Sequence, residues 1–169
     1  FLCYTDNYYV PCINQEPVLI QHLKEEIKED VKNKVRNCFD ELSAKFEKDS
    51  YNVDAKYNDF DVELMPKKIL IKIDAEMTLT KSGTSSKKKD FTAVIPSRFY
   101  DIAIVVQEIV AQEAKWCNFE TAGFMLLYPD FNIKKFETGT LNTIYTVTHK
   151  KSKEEFKFAI RGCVIPPGF

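Results

Sequence analysis

Five cysteines carry the most reactive side chains of this chain, and their spacing limits what they can do. No two of them have the CxxC spacing of zinc ribbons or thioredoxin-like sites. Only two histidines, His22 and His149, could complete a metal shell. We therefore expect no metal site and no cofactor. The cysteines are Cys3, Cys12, Cys38, Cys117 and Cys163.

These cysteines are either buried thiols of a cytosolic protein or disulfides of an exported one. Disulfides are favoured, because Cys3 and Cys12 lie in a polar, aromatic segment with little regular structure to bury a thiol. Cys117, at the end of a helix, and Cys163, in the last strand, could join distant elements and contribute on the order of 3 to 4 kcal/mol. Cys38 would be left over, either buried as a thiol or paired with a segment upstream. The sequence leaves the connectivity open.

A catalytic nucleophile needs a base within hydrogen-bond reach and a third group to orient that base. Any such site here would have to use His22 or His149. His22 lies in the first helix beside its apolar stripe, and His149 opens a lysine-rich turn. Neither belongs to a GxSxG or cysteine-protease signature. We expect both to be solvated or capping residues, and we predict no catalytic residue.

Three carboxylates of the second helix, Asp101, Glu108 and Glu113, could face a groove. General acid and base catalysis needs two groups whose environments separate their pKa values, and no second group is evident. We interpret the three as part of the solvent-exposed face of an otherwise buried helix.

Phosphate and nucleic-acid binding have little support. The five glycines are scattered and form no glycine-rich phosphate loop. The 24 basic residues nearly balance the 25 acidic ones, whereas nucleic-acid partners normally require a net basic surface. Apolar runs such as residues 102–106 are far shorter than the roughly 20 residues that span a bilayer.

The elements that must position these residues follow a pattern that occurs twice. A helix followed by three strands is indicated in residues 17–96 and again in residues 97–169. We predict an α+β fold of two helix-plus-antiparallel-meander (αβββ) units sharing one core, in a single domain with an irregular leader at residues 1–16. The matching phrases are DFDV (59–62) with DFNI (130–133), KKDFTAVIP (88–96) with KEEFKFAI (153–160), and LIKIDAEMTLTKS (70–82) with LNTIYTVTHKKS (141–152).

The two predicted helices differ in how they meet the core. The second, centred on residues 98–115, is apolar nearly all round, which predicts burial on more than one side and a central position. The first helix carries one narrow stripe, typical of an outer helix that touches the core along one line. That stripe consists of Leu19, Leu23, Ile27, Val31, Val35, Cys38, Leu42 and Phe46.

Strict alternation of apolar and polar residues over residues 69–79 predicts a strand of an antiparallel sheet with one face exposed to solvent. The following segment, KSGTSSKKKD (81–90), is polar, and we expect a flexible hairpin tip with the next strand confined to residues 91–95. The final PPGF (166–169) is expected to be an extended or mobile tail.

Tyrosine and tryptophan are favoured at interfaces. Tyr4, Tyr8 and Tyr9 of the leader, with Trp116, could therefore form an interaction surface. The alternative is that these rings cover the core around a disulfide.

The chain resembles a group of uncharacterised archaeal proteins from small-genome, symbiont-like lineages. The resemblance covers most of the chain and rests on NCF late in the first helix, VELMPKKILIKIDAEMTLTKSG, VIPSRFYDIAIVVQEIVAQEA and FKFAIRGCVIPPG. Members are similar to surface proteins with an N-terminal membrane helix before an extracytoplasmic α+β domain. The resemblance implies a membrane anchor upstream of Phe1 and gives no catalytic residue.

We therefore expect a non-catalytic ectodomain of a membrane-anchored cell-surface protein, acting in assembly, adhesion or partner recognition. A protein partner or self-assembly is expected, with no nucleic acid. The alternative is an exported enzyme or small-ligand-binding protein with a site between the two units. A third interpretation is a cytosolic scaffold with free thiols.

Overall fold

The computed structural model describes residues 1–166 and divides the chain into two compact units. Unit 1 comprises residues 1–22, 66–68 and the chain from 96 onward; unit 2 comprises 23–65 and 69–95. In the described residues the elements are β1 (Cys3–Tyr4), β2 (Ile13–Asn14), α1 (Leu19–Lys48), β3 (Asn52–Met65), β4 (Lys68–Lys81), β5 (Thr84–Pro96), α2 (Phe99–Trp116), α3 (Thr121–Leu127), β6 (Phe131–Glu137), β7 (Thr143–His149) and β8 (Glu155–Arg161).

The predicted α+β class is confirmed, with three helices and two sheets in the part of the chain described. The order helix, strand, strand, strand occurs twice, with α3 added in the second copy. The matching phrases fall on corresponding strands: DFDV lies in β3 and DFNI at the start of β6, and KKDFTAVIP lies in β5 and KEEFKFAI runs into β8. The shared core and the single domain stay predictions.

Unit 1 is built on a sheet of order β2-β1-β8-β7-β6. Strands β6, β7 and β8 are antiparallel, with Lys135 and Phe158 opposite Tyr145 in the register. Helix α2 packs on this sheet and buries the residues Ile102, Ala103, Val105, Val106, Ile109, Val110 and Glu113. These residues lie on one face of α2, whereas Ile104 on the opposite face is 44% exposed, so the expected burial on more than one side is wrong.

Most of residues 1–16 is irregular, but the leader also contains two short strands that the sequence did not predict. Strand β1 pairs antiparallel with β2 and parallel with β8, where Cys3 lies opposite Ile160. Main-chain bonds from Leu2 N to Ala159 O and from Thr5 N to Arg161 O, both 3.0 Å, extend this pairing. Strands of two residues show no period in the sequence, so their pairing partners decide their structure.

Unit 2 packs α1 on the meander β3-β4-β5. Val35 and Phe39 of the helix meet Val62 and Met77 of the sheet, all nearly inaccessible to solvent. The predicted stripe is correct except at Cys38, which is exposed. Its neighbour takes the core position because a phenyl ring buries much more apolar surface than a thiol.

The segment expected to be a flexible tip is part of a long hairpin. Ser82 and Gly83 form a two-residue turn with φ of 51° and 80°, and β5 starts at Thr84. Positive φ at both central residues matches the twist of the flanking strands. Lys87 and Lys89 of β5 both pair with Glu76 of β4 and hold the pKa of that carboxyl at about 2.

The last strand, expected to contain Cys163, ends earlier at Arg161. Of the predicted PPGF tail, residues 167–169 lie outside the described residues. Within residues 1–166, every helix falls short of the length and apolar character needed to cross a membrane.

Candidate functional site

Four of the five cysteines are paired, and both pairs belong to unit 1. Cys3 and Cys12 form one disulfide with Cα atoms 5.3 Å apart, and Cys117 and Cys163 form the other at 5.8 Å. These are the two pairs that the sequence favoured. Cys38 carries a free thiol on the exposed side of α1, so of the two alternatives expected for it, the buried thiol is wrong and a pair with an upstream segment stays a prediction.

Gly162 brings the two disulfides together. A Cβ atom at this position would lie 2.8 Å from Cys12 N and 2.9 Å from Cys12 Cβ, so only glycine fits. On either side of this contact, Cys163 N donates to Val10 O at 2.6 Å and Tyr9 N donates to Val164 O at 3.0 Å. The residues after β8 are therefore fixed against the loop between β1 and β2.

A groove of about 700 Å³ lies between α2 and α3 in unit 1. Helix α3 begins at Thr121 because the Glu120 side chain accepts hydrogen bonds from Ala122 N and Gly123 N. It buries none of its residues, and Leu127 remains 77% exposed. The groove is lined by Tyr100, Asp101, Ile104, Val105, Glu108, Gln112, Phe124, Leu127, Tyr128 and Phe131.

The two acidic residues of this groove differ in their neighbours. Asp101 lies 3.5 Å from the guanidinium of Arg98 and accepts a hydrogen bond from Lys67 N. The hydrogen bond described for Glu108 comes from the neutral amide of Gln112, at 2.6 Å. The negative charge of the groove therefore belongs mainly to Glu108.

Glu113 lies on the buried side of α2, which corrects the interpretation of its carboxylate as part of a wet face. The residue is 7% exposed. Its Oε1 accepts a hydrogen bond from the hydroxyl of Tyr145 and lies 3.4 Å from Lys135 Nζ. Burial and the bond to Glu113 raise the pKa of Tyr145 far above its usual range.

Glu113 also lines a cavity of about 380 Å³ beside the Cys117–Cys163 disulfide. Lys135 lies at its wall and is held by Asn118 Oδ1 at 3.3 Å as well as by Glu113. The other lining residues come from the adjoining ends of β6 and β7 and the connection between them, and from the end of β8 and the chain after it. They are Glu137, Thr138, Leu141, Asn142, Thr143, Ile160, Gly162, Val164 and Ile165.

Each of the two histidines makes hydrogen bonds to residues nearby in the sequence. His149 is 3% exposed, so the expectation of a solvated ring is wrong, while that of a capping role agrees with its contacts. Its Nδ1 accepts a hydrogen bond from Ser152 N at 3.2 Å and lies 2.9 Å from Ser152 Oγ. The pair holds the β7–β8 turn together. His22 lies on the surface, with Nδ1 2.9 Å from Glu16 Oε2.

The aromatic residues proposed as an interaction surface are mostly exposed. Tyr8, Tyr9 and Trp116 are 43%, 61% and 66% exposed, whereas Tyr4 is partly buried and bonded to Asp6. Tyr8 and Tyr9 lie in the β1–β2 loop and Trp116 at the end of α2. Their interaction role stays a prediction.

A charged cavity of about 520 Å³ in unit 2 is the third candidate. Two of its lining carboxylates are already paired with lysines: Lys28 lies 3.2 Å from Asp59, and Lys24 lies 3.1 Å from Asp61. The main-chain N–H of Phe60 and the Lys28 ammonium lower the pKa of Asp59. These pairs tie α1 to β3. Among residues 1–166, no three His, Cys, Asp or Glu side chains are grouped to hold a metal ion.

Comparison of the chain with models of protein families, with curated protein sequences and with solved structures finds no match. The archaeal surface-protein resemblance therefore stays a prediction, and any function must be argued from the groove and the cavity themselves. The sequence analysis raised a groove at Asp101 and Glu108 but gave it no role, and it missed both the wall that α3 contributes and the Glu113 cavity. The available signal was the apolar run FMLLY (124–128), which is too apolar for a seven-residue helix on the surface.

Proposed function

We propose that this chain is a non-catalytic recognition domain of a cell-surface protein and that the α2–α3 groove binds an apolar segment of a protein partner. The observation that carries the proposal is the exposure of Leu127 and Tyr128, 77% and 53%, beside a groove of about 700 Å³. The same unit contains both disulfides.

Exposed leucines are common singly, but contiguous apolar patches mark interaction sites. Here Ile104 of α2 is 44% exposed and faces the groove that Leu127 also lines. The rings of Phe124 and Tyr128 lie 4.6 Å apart in the same wall. Aromatic rings of this kind are enriched at the centres of protein interfaces. The groove is thus lined largely by apolar and aromatic side chains.

The charge of the groove selects among apolar partners. Glu108 presents a carboxylate whose described hydrogen-bond partner is uncharged, so a cation placed above it would gain a favourable contact. The occupant we propose is a segment of another protein that carries a large apolar side chain next to a lysine or arginine. A second copy of this chain is the competing occupant.

The extracytoplasmic location is supported by the disulfides, since such bonds persist in oxidising compartments. The upstream membrane anchor is implied by the resemblance alone. Assembly and adhesion are forms of the same recognition role. The alternative of an exported enzyme or small-ligand-binding protein places its site between the two αβββ units, whereas all lining residues of the Glu113 cavity belong to the second αβββ unit.

The test is a selection of linear peptides from a random library on the oxidised chain, with counter-selection on a Leu127→Asp variant. We expect enriched peptides to pair a large apolar residue with a neighbouring lysine or arginine, and to bind a Glu108→Lys variant several-fold more weakly. Peptides that bind the Leu127→Asp variant as well as they bind the wild type would overturn the proposal. Concentration-dependent dimerisation that Leu127→Asp abolishes would assign the groove to self-assembly instead.

A further inference from the structure

We propose that the cavity beside the Cys117–Cys163 disulfide binds a small primary ammonium compound with a short apolar chain, and that Glu113 is its counter-ion. This site is distinct from the α2–α3 groove and goes beyond partner recognition. It rests on a buried carboxylate, an adjoining cavity and the charge of the cavity wall.

Burying a carboxylate is costly unless hydrogen bonds and an opposite charge compensate it. Glu113 receives that compensation at one oxygen. In the part of the chain that the structure describes, the contacts from Tyr145 and Lys135 both end on Oε1. The second oxygen, Oε2, is the acceptor that Glu113 can offer to a ligand in the cavity it lines.

The charge of the wall favours a cation. Glu113 and Glu137 line the cavity together with Lys135, which is the one cation among the lining residues that the structure describes. Lys135 is already engaged by Glu113 and Asn118, whereas Glu137 adds a second carboxylate to the cavity lining. A ligand carboxylate would meet this negative charge, whereas an ammonium would be attracted to it.

The remaining walls define the rest of the ligand. Leu141, Ile160 and Val164 offer apolar surface that suits a short alkyl chain. The hydroxyl of Thr138 is used within the β6–β7 connection. Its Oγ1 accepts a hydrogen bond from Asn142 N and lies 2.9 Å from Thr140 Oγ1. The volume of about 380 Å³ is within the range of small-ligand sites.

The experiment is an NMR titration of the oxidised chain at pH 7 with three probes that share one carbon skeleton. These are 3-methylbutylamine, 3-methylbutanol and 3-methylbutanoate. We expect saturable shifts of the amide signals at residues 138–143 and 162–165 with the amine, and affinities about tenfold weaker or worse for the alcohol and the carboxylate. Equal affinity for amine and alcohol, or amine shifts confined to other residues, would overturn the proposal.

Variants test whether amine binding depends on the charge of Glu113 or only on an intact fold. Glu113→Gln is expected to weaken amine binding about tenfold or more, while Glu155→Gln, at an exposed position that lines neither the cavity nor the α2–α3 groove, leaves it unchanged. Should Glu113→Gln not fold, Val164→Phe fills the cavity and is expected to abolish the amine shifts. Retained amine binding in the folded variant contradicts the assignment. Neither Leu127 nor the selected peptides enter this test, so its failure is distinguishable from failure of the groove proposal.

A lysine side chain of another protein presents the same ammonium group. Nα-acetyl-lysine N-methylamide therefore serves as a fourth probe. A free small amine as the ligand predicts tighter binding of 3-methylbutylamine, because the cavity encloses its whole chain. Binding of the lysine derivative about tenfold tighter would overturn the small-molecule assignment.

Discussion

The hydroxyl of Tyr145 donates a hydrogen bond to the carboxylate of Glu113, and this bond joins β7 to α2 within unit 1. Both residues are almost inaccessible to solvent. The ring of Tyr145 also stacks on Phe158, with centroids 5.5 Å apart. One buried tyrosine thus fixes the carboxylate that faces the cavity and packs the sheet under the helix.

Tyr145→Phe removes only the hydroxyl and leaves Glu113 with less compensation for its burial. We expect a loss of about 1 to 3 kcal/mol in the free energy of unfolding, measured by urea denaturation with the disulfides intact. Tyr128→Phe, which alters a half-exposed ring, is the control and is expected to stay within about 0.5 kcal/mol of wild type. Equal urea midpoints for the two variants would show that the Tyr145 bond adds nothing.

Glu154 holds the start of α2, accepting hydrogen bonds from Ser97 Oγ at 2.5 Å and from Arg98 N at 2.7 Å. Burial raises the pKa of Glu154, but the bonds from Ser97, Ser152 and Arg98 N outweigh it and lower the pKa below its ordinary value of 4.5. A lowered folded-state pKa adds stability that is present above the unfolded value and lost as the pH falls through the folded one.

Glu154→Gln is therefore expected to cost about 0.5 to 2 kcal/mol at neutral pH, the usual value of a helix-capping contact. The difference from wild type should stay constant down to about pH 4.5 and shrink below it. Urea unfolding from pH 7 to pH 3 measures it, with the exposed neighbour Glu155→Gln as control. A difference that grows toward low pH contradicts a lowered folded-state pKa for Glu154.

Gly162→Ala places a Cβ atom within 2.9 Å of Cys12, where the disulfide prevents the chain from moving aside. We expect a loss of about 1 to 3 kcal/mol from overpacking. Gly139→Ala is the matched control, because a Cβ there meets no atom within 4 Å. Thermal unfolding of the two oxidised variants should place Gly162→Ala well below Gly139→Ala, and coincident melting temperatures would refute the close contact.

Thiol counting tests the disulfides in protein isolated from its source. The chain unfolded without reductant should show one reactive thiol, that of Cys38, and five after reduction. Cys38 should also react in the folded protein because it is exposed. Five thiols in the unreduced chain would contradict the extracytoplasmic location and favour a cytosolic scaffold.

The sequence predicted the features that depend on local pattern. Alternation over β4 predicted its strand, and the apolar circumference of the second helix predicted the burial of Ile102, Val106 and Ile109. The places of Cys117 at the end of a helix and of Cys163 near the end of the chain favoured the pair that the structure shows, while the sequence left the connectivity open. The exception is β5, whose first residues, Thr84 to Asp90, are polar on both faces and show no alternation.

The candidate sites depend on contacts between distant residues. Glu113 resembles the other acidic residues of its helix in sequence, and only the position of Tyr145, 32 residues away, shows that it is buried and bonded. The groove likewise exists because α3 lies beside α2 without burying Leu127. The periodicity of apolar residues shows which face of a helix or strand is buried, but it does not show which other element packs against that face.

The affinity of a selected peptide for two neighbouring leucine variants tests the recognition groove most directly. Leu127 lines the groove, whereas Leu126, 84% exposed on the same helix, is not among its lining residues. We predict that Leu127→Asp raises the dissociation constant about 30-fold, the effect of losing a hot-spot contact of about 2 kcal/mol, and that Leu126→Asp changes it less than about twofold. Equal dissociation constants for the wild type and both variants would contradict recognition through the α2–α3 groove.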